Sequence, residues 1–541
     1  MEMSLKADLL FINARVFDQG QNLGQSDAVA ISQGRILAVG QSRDLKHLMS
    51  KKTMVIDLAG GSLLPGFFDP HLHFYEWSLK RSQLDLSQAT SLDDLLQKLA
   101  RFHADLPKDQ WLLGFSWNEV DWPNPVMPTR EYLDKVAPDR PVALWRCDFH
   151  LAVVNSKALE MAGIGPNTPD PAEGRIEKDV KGEPTGVLRE LAINLIRDKI
   201  PAPTDKQVMN ALQKGIEAAH ALGITALQDV RLMDDLDGPA MLRAARRLEE
   251  KGLLDLRLWV SLAGNQLDQA VALGLRTGLG SDRLKIGHIK YFSDGGMGGR
   301  TAWMLEPYLD AQTGMPLIDP VDLEKEVAKA QSAGLAVMIH AVGDRAVREV
   351  IGVFEKTATQ PLPGDVGPAL AHRIEHVQNI HPDDLPRLGR LPIAACLTPP
   401  NLVLDINTVD KSVGQRGRCS YALKDILASG VPTMFSSDCP VCSPDPLLGI
   451  RAAVTRQRLD NTPPGGWHPE SKISTAQAVK AYTEAPALLH NVGKDLGRVA
   501  PGYRADLVVL DKDILACPPE DLHRLKVRFT VFDGRLVHQA D

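Results

Sequence analysis

Short apolar runs recur along the middle of the chain. They are LLPGFFDPHLH up to His73, GITALQDV from Gly223, DLRLWVSL from Asp255, LKIGHIKYF from Leu284, LAVMIH up to His340, HRIEHV from His372, PIAACL from Pro392 and PTMFSS up to Ser437. Runs of this length, bounded by turn residues, read as buried strands. Helix-period sequence fills most of the intervals; in RAVREVIGVFEKT, Ala346, Val350, Ile351 and Phe354 share one face behind Asp344, the expected N-cap. Eight strands alternating with helices predict an α/β fold, a (β/α)8 TIM-type barrel, with a doubly wound open sheet as the alternative.

The two ends of the chain have a different rhythm. ADLLFINARVF, AVAISQGRILAVG and TMVIDLAGG near the start, and ADLVVLD and VRFTVFDGRLVH near the end, read as strands and hairpins, the last turning at Asp533 and Gly534. Residues 1–64 and 483–541 are therefore expected to build one composite β-sandwich domain, with the barrel formed by 65–78 and 207–482. The interval 79–206 is too long for one loop and has periodic segments of its own, which makes it an inserted cap or substrate domain. Its Trp111, Trp117, Trp122 and Trp145 either line an aromatic pocket or form core.

Composition narrows the partners. With 541 residues, 44% hydrophobic and 24% charged, the chain has material for a full core and is neither a small binding module nor disordered. A net charge of −7 without a basic block gives no reason to expect nucleic acid or an anionic membrane, so a small-molecule partner is expected. No apolar run approaches the roughly 18 residues that span a bilayer, and Met1 to Phe17 lacks a signal-peptide apolar region, so the expected location is cytoplasmic. Six Cys without framework spacing predict no disulfides. A homodimer is the expected assembly only because twofold dimers are the commonest oligomers.

The candidate chemistry sits at the ends of the runs. In His71-Leu72-His73 the period of two places both imidazoles on one face, where one metal ion takes both. The pair alone is weak, but His340, His376 and Asp438 also fall at or just past the ends of runs, and a barrel gathers such ends at one mouth. Lys290 closes the fourth run in step with His288; beside dications an ammonium is repelled, so it belongs to the set only with its charge inverted. Two rival motifs compete. His372-Arg373-Ile374-Glu375-His376 matches the H-x-x-E-H pattern of inverted zinc peptidases, which requires a helix. Cys439-Pro440-Val441-Cys442 reads as a redox dithiol or as packing and support around Asp438.

With these motifs assembled, the chain resembles the amidohydrolase superfamily, in the branch of N-substituted formamide deformylase. The resemblance is carried by LPGFFDPHLHF, RCDFHLAVVNSKAL with Asp148 and His150, IKYFSDGGMGGRTA with Lys290, Asp294 and Arg300, MIHAVGDRAV, RIEHVQ, SSDCPVCSPDPLLGIRAAVTR and APGYRADLVVLD. It implies that His71, His73 and Asp438 bind the more buried of two metal ions, best taken as zinc, and that His340 and His376 bind the second. Lys290, as a carbamate derived from carbon dioxide, bridges them, with Glu190 as the rival bridging ligand. His150 and Arg300 are the implied substrate contacts. The implied reaction is hydrolysis of a carbon–nitrogen bond other than a peptide bond, amide or N-formyl/N-acyl in type, by metal-activated hydroxide with Asp438 as general acid and base. The same fold and metals also serve deamination, decarboxylation and ester hydrolysis, and a catalytically silent ligand-binding protein is the alternative from another class. The sequence departs from the branch at Thr398-Pro399-Pro400-Asn401, where relatives show Gln-Pro-x-His, and at Phe149, where Gly is usual.

Overall fold

The protein is described by a computed structural model covering residues 6–108, 110–147, 151–171, 174–231, 238–358 and 370–540. Asp148, Phe149 and His150 lie outside the described residues. The chain divides into two compact units, residues 1–75 with 215–541, and residues 76–214.

The first unit holds an eight-stranded sheet whose members coincide with the eight apolar runs: β1 (Phe67–Leu72), β2 (Ile224–Asp229), β3 (Arg257–Ala263), β4 (Leu284–Phe292), β5 (Val337–Ala341), β6 (Arg373–His376), β7 (Ala394–Leu397) and β8 (Thr433–Phe435). Neighbours follow chain order and every pair is parallel. The seam between β1 and β8 closes just past the strand ends, where Asp438 N donates to His71 O (2.9 Å) and His73 N donates to Cys439 O (2.8 Å). The sheet is thus a barrel rather than an open doubly wound sheet. All residues of β1, β2 and β3 are buried, as expected for parallel strands covered on both faces.

The helix after β5 spans Asp344–Thr357 and buries Ala346, Val350, Ile351 and Phe354 as its period predicts. Its N-cap is Gly343 and not Asp344. The Asp344 carboxylate instead accepts from Leu305 N (2.7 Å), a tertiary partner 39 residues away in the chain.

Both chain ends contribute to one six-stranded sheet, ordered Arg535–Gln539, Val527–Phe532, Leu507–Leu510, Ser62–Pro65, Arg15–Asp18 and Gln21–Asn22. A second, four-stranded sheet comprises Arg35–Gly40, Ala28–Ser32, Leu9–Ile12 and Met54–Asp57. Phe11, Val16, Val29, Ile31, Leu63, Leu507, Val509 and Val531 form one core between them. The terminal hairpin turns at Asp533 and Gly534, both at positive φ (45° and 74°), the conformation a two-residue turn requires. Asp533 also accepts from Arg257 and Arg283, and Arg257, on β3, pairs with Asp506 (2.6 Å), fastening the barrel to the terminal sheet.

The second unit is built on a six-stranded sheet, ordered Gly174–Lys178, Pro184–Glu190, Leu151–Val154, Val142–Arg146, Leu112–Trp117 and Leu84–Asp85. Alternate residues feed two cores: Val142 and Leu144 join Trp117 and Trp122, whereas Ala143 and Trp145 join Trp111. All four tryptophans are buried core residues, and Trp122 Nε1 donates to Ala89 O (2.8 Å). Among the described residues no helix is long and apolar enough to cross a membrane.

Candidate metal centre

Each ligand candidate of the barrel stands at the C-terminal end of its strand or just beyond. His71 is the fifth residue of β1 and His73 follows its end; His340 is the penultimate residue of β5, His376 the last of β6, and Asp438 lies three residues past β8. His376 (φ 69°), Val377 (φ 42°) and Asp438 (φ 57°) adopt left-handed backbone conformations. Such geometry costs about 1–2 kcal/mol for an ordinary L-residue and ends the strand abruptly, and it concentrates where a side chain must be aimed.

The imidazoles meet at the mouth. Ring centroids of His71 and His73 are 5.7 Å apart, of His71 and His376 5.1 Å, and of His340 and His376 4.7 Å. Asp438 Oδ1 lies 3.4 Å from His71 Nε2 and 3.3 Å from His73 Nε2. The three ligand atoms fall within 4.8 Å of one another, and all three residues are buried.

The other ring nitrogens have partners of their own. His73 Nδ1 donates to Val230 O (2.8 Å), His71 Nδ1 bonds Glu375 Oε2, His340 Nε2 donates to Gly295 O (3.2 Å), and His376 Nδ1 bonds Thr398 Oγ1 (3.1 Å). In the neutral tautomers fixed by the carbonyl and carboxylate partners, the inward nitrogens are lone pairs. Lone pairs of His71 and His73 then face a carboxylate oxygen at 3.3–3.4 Å, a standoff that a single cation between them resolves. Ligands about 2.0–2.2 Å from a tetrahedral zinc stand roughly 3.3–3.6 Å from one another, the separation that Asp438 Oδ1 keeps from each imidazole nitrogen.

Electrostatics agree with this. Burial, with help from Lys290, lowers His71 to about 4; burial lowers His376 to about 3 and His340 well below its ordinary value, so these rings are neutral, the ligating form.

Lys290 lies within β4, 2% exposed, and its Nζ has no hydrogen-bond partner. Burial lowers this amine to about 8. It rests 4.6 Å from the centroid of the Phe292 ring, an apolar seat for an ammonium with nothing to accept its protons.

Glu375 was visible in the sequence only as part of a rival motif. That motif is ruled out as a helical zinc site, because Arg373–His376 is a strand and His372 Nδ1 accepts from Val337 N (3.0 Å). Glu375 is fully buried, holds His71 Nδ1 and pairs with Arg373 (2.6 Å), whose Nη2 donates to Pro70 O (2.8 Å). His71, Glu375 and Cys396 form a second cluster of ligand-type atoms, but burial and the Glu375 field push the Cys396 thiol well above its ordinary value, so it is no thiolate. No spacing rule could have linked His71 to Glu375, which is 304 residues away in the chain.

The remaining candidates have other surroundings. Arg300 is engaged by its own loop: Nε and Nη2 donate to Asp310 (2.8 Å each) and Nη1 donates to Met297 O (2.8 Å). Asp294 braces the segment after β5, accepting from Val342 N (3.0 Å), Gly343 N (2.7 Å) and Trp303 N (2.8 Å). Glu190 belongs to the second unit, where it ends the strand Pro184–Glu190 at φ 48° with an exposed side chain. His150 lies outside the described residues.

Comparison with known proteins agrees with the architecture. The model of the Amidohydrolase family matches residues 54–538. A putative amidohydrolase, YtcJ, of Bacillus subtilis is 34% identical over 95% of this chain and 96% of its own. N-substituted formamide deformylase of Arthrobacter pascens is 26% identical over 99% of both chains. The crystal structure of an uncharacterized metal-dependent hydrolase from Pyrococcus furiosus superposes with a TM-score of 0.74 at 28% identity, covering 94% of this chain and 99% of that one. Family model, relatives and barrel topology converge, and the chain belongs to the amidohydrolase family of metal-dependent hydrolases.

Proposed function

We propose that this protein hydrolyses a carbon–nitrogen bond other than a peptide bond, amide or N-formyl/N-acyl in type, at a centre of two divalent ions, best taken as zinc. The observation that carries the reading is the buried convergence of His71 Nε2, His73 Nε2 and Asp438 Oδ1 with the other nitrogens of both rings already occupied. His71, His73 and Asp438 would hold one ion, and His340 and His376 the other. Similarity to a formamide deformylase over the full chain supports the bond type.

Lys290 supports a bridging role through its orphaned Nζ. Its neutral amine adds to carbon dioxide, forming an N–C bond and losing one proton, and the resulting carbamate replaces a cation with an anion able to serve two ions. This reading prefers Lys290 over Glu190 because Lys290 shares the barrel end with the other ligands.

When bound, the ions supply Lewis acidity: they polarise a carbonyl and bring the acidity of water close to neutral pH. Asp438 presents Oδ1 to the ligand cluster and keeps Oδ2 as a proton acceptor. It takes a proton from the attacking water and returns it to the leaving nitrogen, which cannot depart as an anion. Substrate choice is assigned to the segments following the barrel strands. A small-molecule substrate, a cytoplasmic location and a homodimer complete the proposal.

Elemental analysis of chain purified without chelator and resupplied with zinc and bicarbonate tests it. About two ions per chain are expected, falling in Lys290→Ala. A panel of formamides and N-acyl amines, read for released amine, ammonia and carbon dioxide, separates this chemistry from deamination and decarboxylation. A chain with no metal and no turnover would instead be a silent binding protein.

A further inference from the structure

Two sequence features play no part in the ligand set: the turn Thr398-Pro399-Pro400-Asn401 and the pair Cys439-Pro440-Val441-Cys442. They meet on Asp438. Asn401 Nδ2 donates to Asp438 Oδ2 at 3.4 Å, on the oxygen turned away from His71 and His73. Cys442 Sγ donates to Asn401 Oδ1 at 2.6 Å. One turn earlier, Thr398 Oγ1 bonds His376 Nδ1, so a single helix start touches two ligands from different strands.

The amide has one orientation that serves both neighbours. A carboxylate only accepts, so Asn401 must present its NH2 group to Asp438 and its oxygen to Cys442. The thiol is a neutral donor, because burial and the carboxylates of Asp438 and Asp405 push it well above its ordinary value. The helix carrying Asn401, Pro399–Val413, is itself pinned: Asp405 Oδ2 accepts from Gln378 Nε2 (2.8 Å) and Tyr421 OH (2.6 Å). Prolines at its first two positions remove backbone freedom at the point of contact.

We propose that Asn401, oriented by Cys442, is the positioning residue that fixes the Asp438 carboxylate with Oδ1 on the ligand cluster and Oδ2 directed outward. The proposal rests on the reading of Asp438 given above. Without the amide, rotation about the Asp438 side chain would swing Oδ1 out of the lone-pair triangle, since no other side-chain contact to Oδ2 is described. The dithiol-like motif then needs no redox chemistry: Cys442 serves as a hydrogen-bond donor.

Three measurements test this. In crystals of metal-free Asn401→Ala the carboxylate is expected to rotate and lose its approach to His71 and His73; an unmoved carboxylate overturns the proposal. Cobalt(II) titrated into Asn401→Ala and Asn401→Asp, followed by its visible absorption, is expected to bind about 10–100-fold more weakly than to the unaltered chain, with unchanged apo-protein melting. Cobalt affinity equal to the unaltered chain in both variants overturns it. Cys442→Ala is expected to lose part of that affinity and Cys442→Ser to recover it, because the hydroxyl restores the donor; equal losses in the two refute the part given to Cys442. If the unaltered chain takes up no cobalt, the metal-centre reading fails, and the crystal of Asn401→Ala still decides the positioning role.

Discussion

Two polar clusters of the first unit each contain buried charged groups, Arg257 and Asp506 in one and Lys290 and Asp438 in the other, and differ in balance. Where the barrel meets the terminal sheet, every charge finds its opposite: Arg257 with Asp506 and Asp533, Arg283 with Asp533 and Asp255, Arg504 with Asp495 and Asp282. At the barrel mouth the groups face one another with like polarity, histidine lone pairs toward a carboxylate oxygen, and an amine with no acceptor. The first cluster is complete as protein alone, and cations already within the chain neutralise its carboxylates. The second leaves its lone pairs and its amine unmatched within the chain. Burial and pKa perturbation are common to both, so they do not by themselves mark a site; the sign of what remains unsatisfied does.

The contrast can be broken at either end. The largest effect is expected from Asp438→Asn, which keeps the shape of the mouth and removes the proton acceptor. On any amide that the unaltered chain cleaves, turnover should fall about 10²–10⁴-fold with metal still bound, measured by steady-state kinetics beside elemental analysis. Turnover equal to the unaltered chain would move the acid–base role elsewhere. Next comes Asp506→Ala, which strands the buried Arg257 guanidinium. It should cost about 3–5 kcal/mol in denaturant unfolding while leaving metal content unchanged, whereas Asp438→Asn should leave the terminal sheet intact. A loss of metal in Asp506→Ala would mean the two clusters are coupled.

The smallest effect sharpens the comparison through pH. His220, buried beneath the terminal sheet with Nε2 on Asp255 O, is lowered to about 4 by burial. The unfolded chain therefore binds this proton first, and the native state loses stability as pH falls from about 6.5 toward 4, with the full contribution present above that window. At pH 5.5 the deficit amounts to about 1.4 kcal/mol, and His220→Gln should remove that share of the acid sensitivity in melting curves taken between pH 7 and 5. An unchanged pH slope in His220→Gln would show that the ring takes up its proton at the same pH in the native and unfolded chain.

The barrel strands could be read from the sequence because each is a short apolar run with polar limits, and parallel strands covered on both faces leave no other signature. His71, His73, His340, His376 and Asp438 were legible for a related reason, since a barrel converts the end of a run into a place in space. What escaped was the particular side-chain contacts between distant segments. Glu375 beneath His71, and Asn401 with Cys442 on Asp438, depend on which strand ends become neighbours and on side-chain directions that no spacing records. Asp344 had the right residue type for a cap, but Leu305 N competes for its carboxylate. The four tryptophans were ambiguous in sequence because indole serves pockets and cores alike; alternation along their strands places them in cores.

The barrel seam gives the ligand cluster a second consequence, in the order of assembly. Ser437 N reaches Asp69 Oδ1 across 368 residues of chain, and the backbone bonds beside it, from Asp438 to His71 and from His73 to Cys439, are the stitches that close the ring of strands. Contacts this remote are the slowest to form, so the first and last strands should join late in folding, and the cluster exists only once they have joined. An ion held by His71, His73 and Asp438, as proposed, would sit astride that join and act as a clasp: the barrel could reopen there only by releasing it, which would make the loaded protein slow to unfold and resistant to proteolysis.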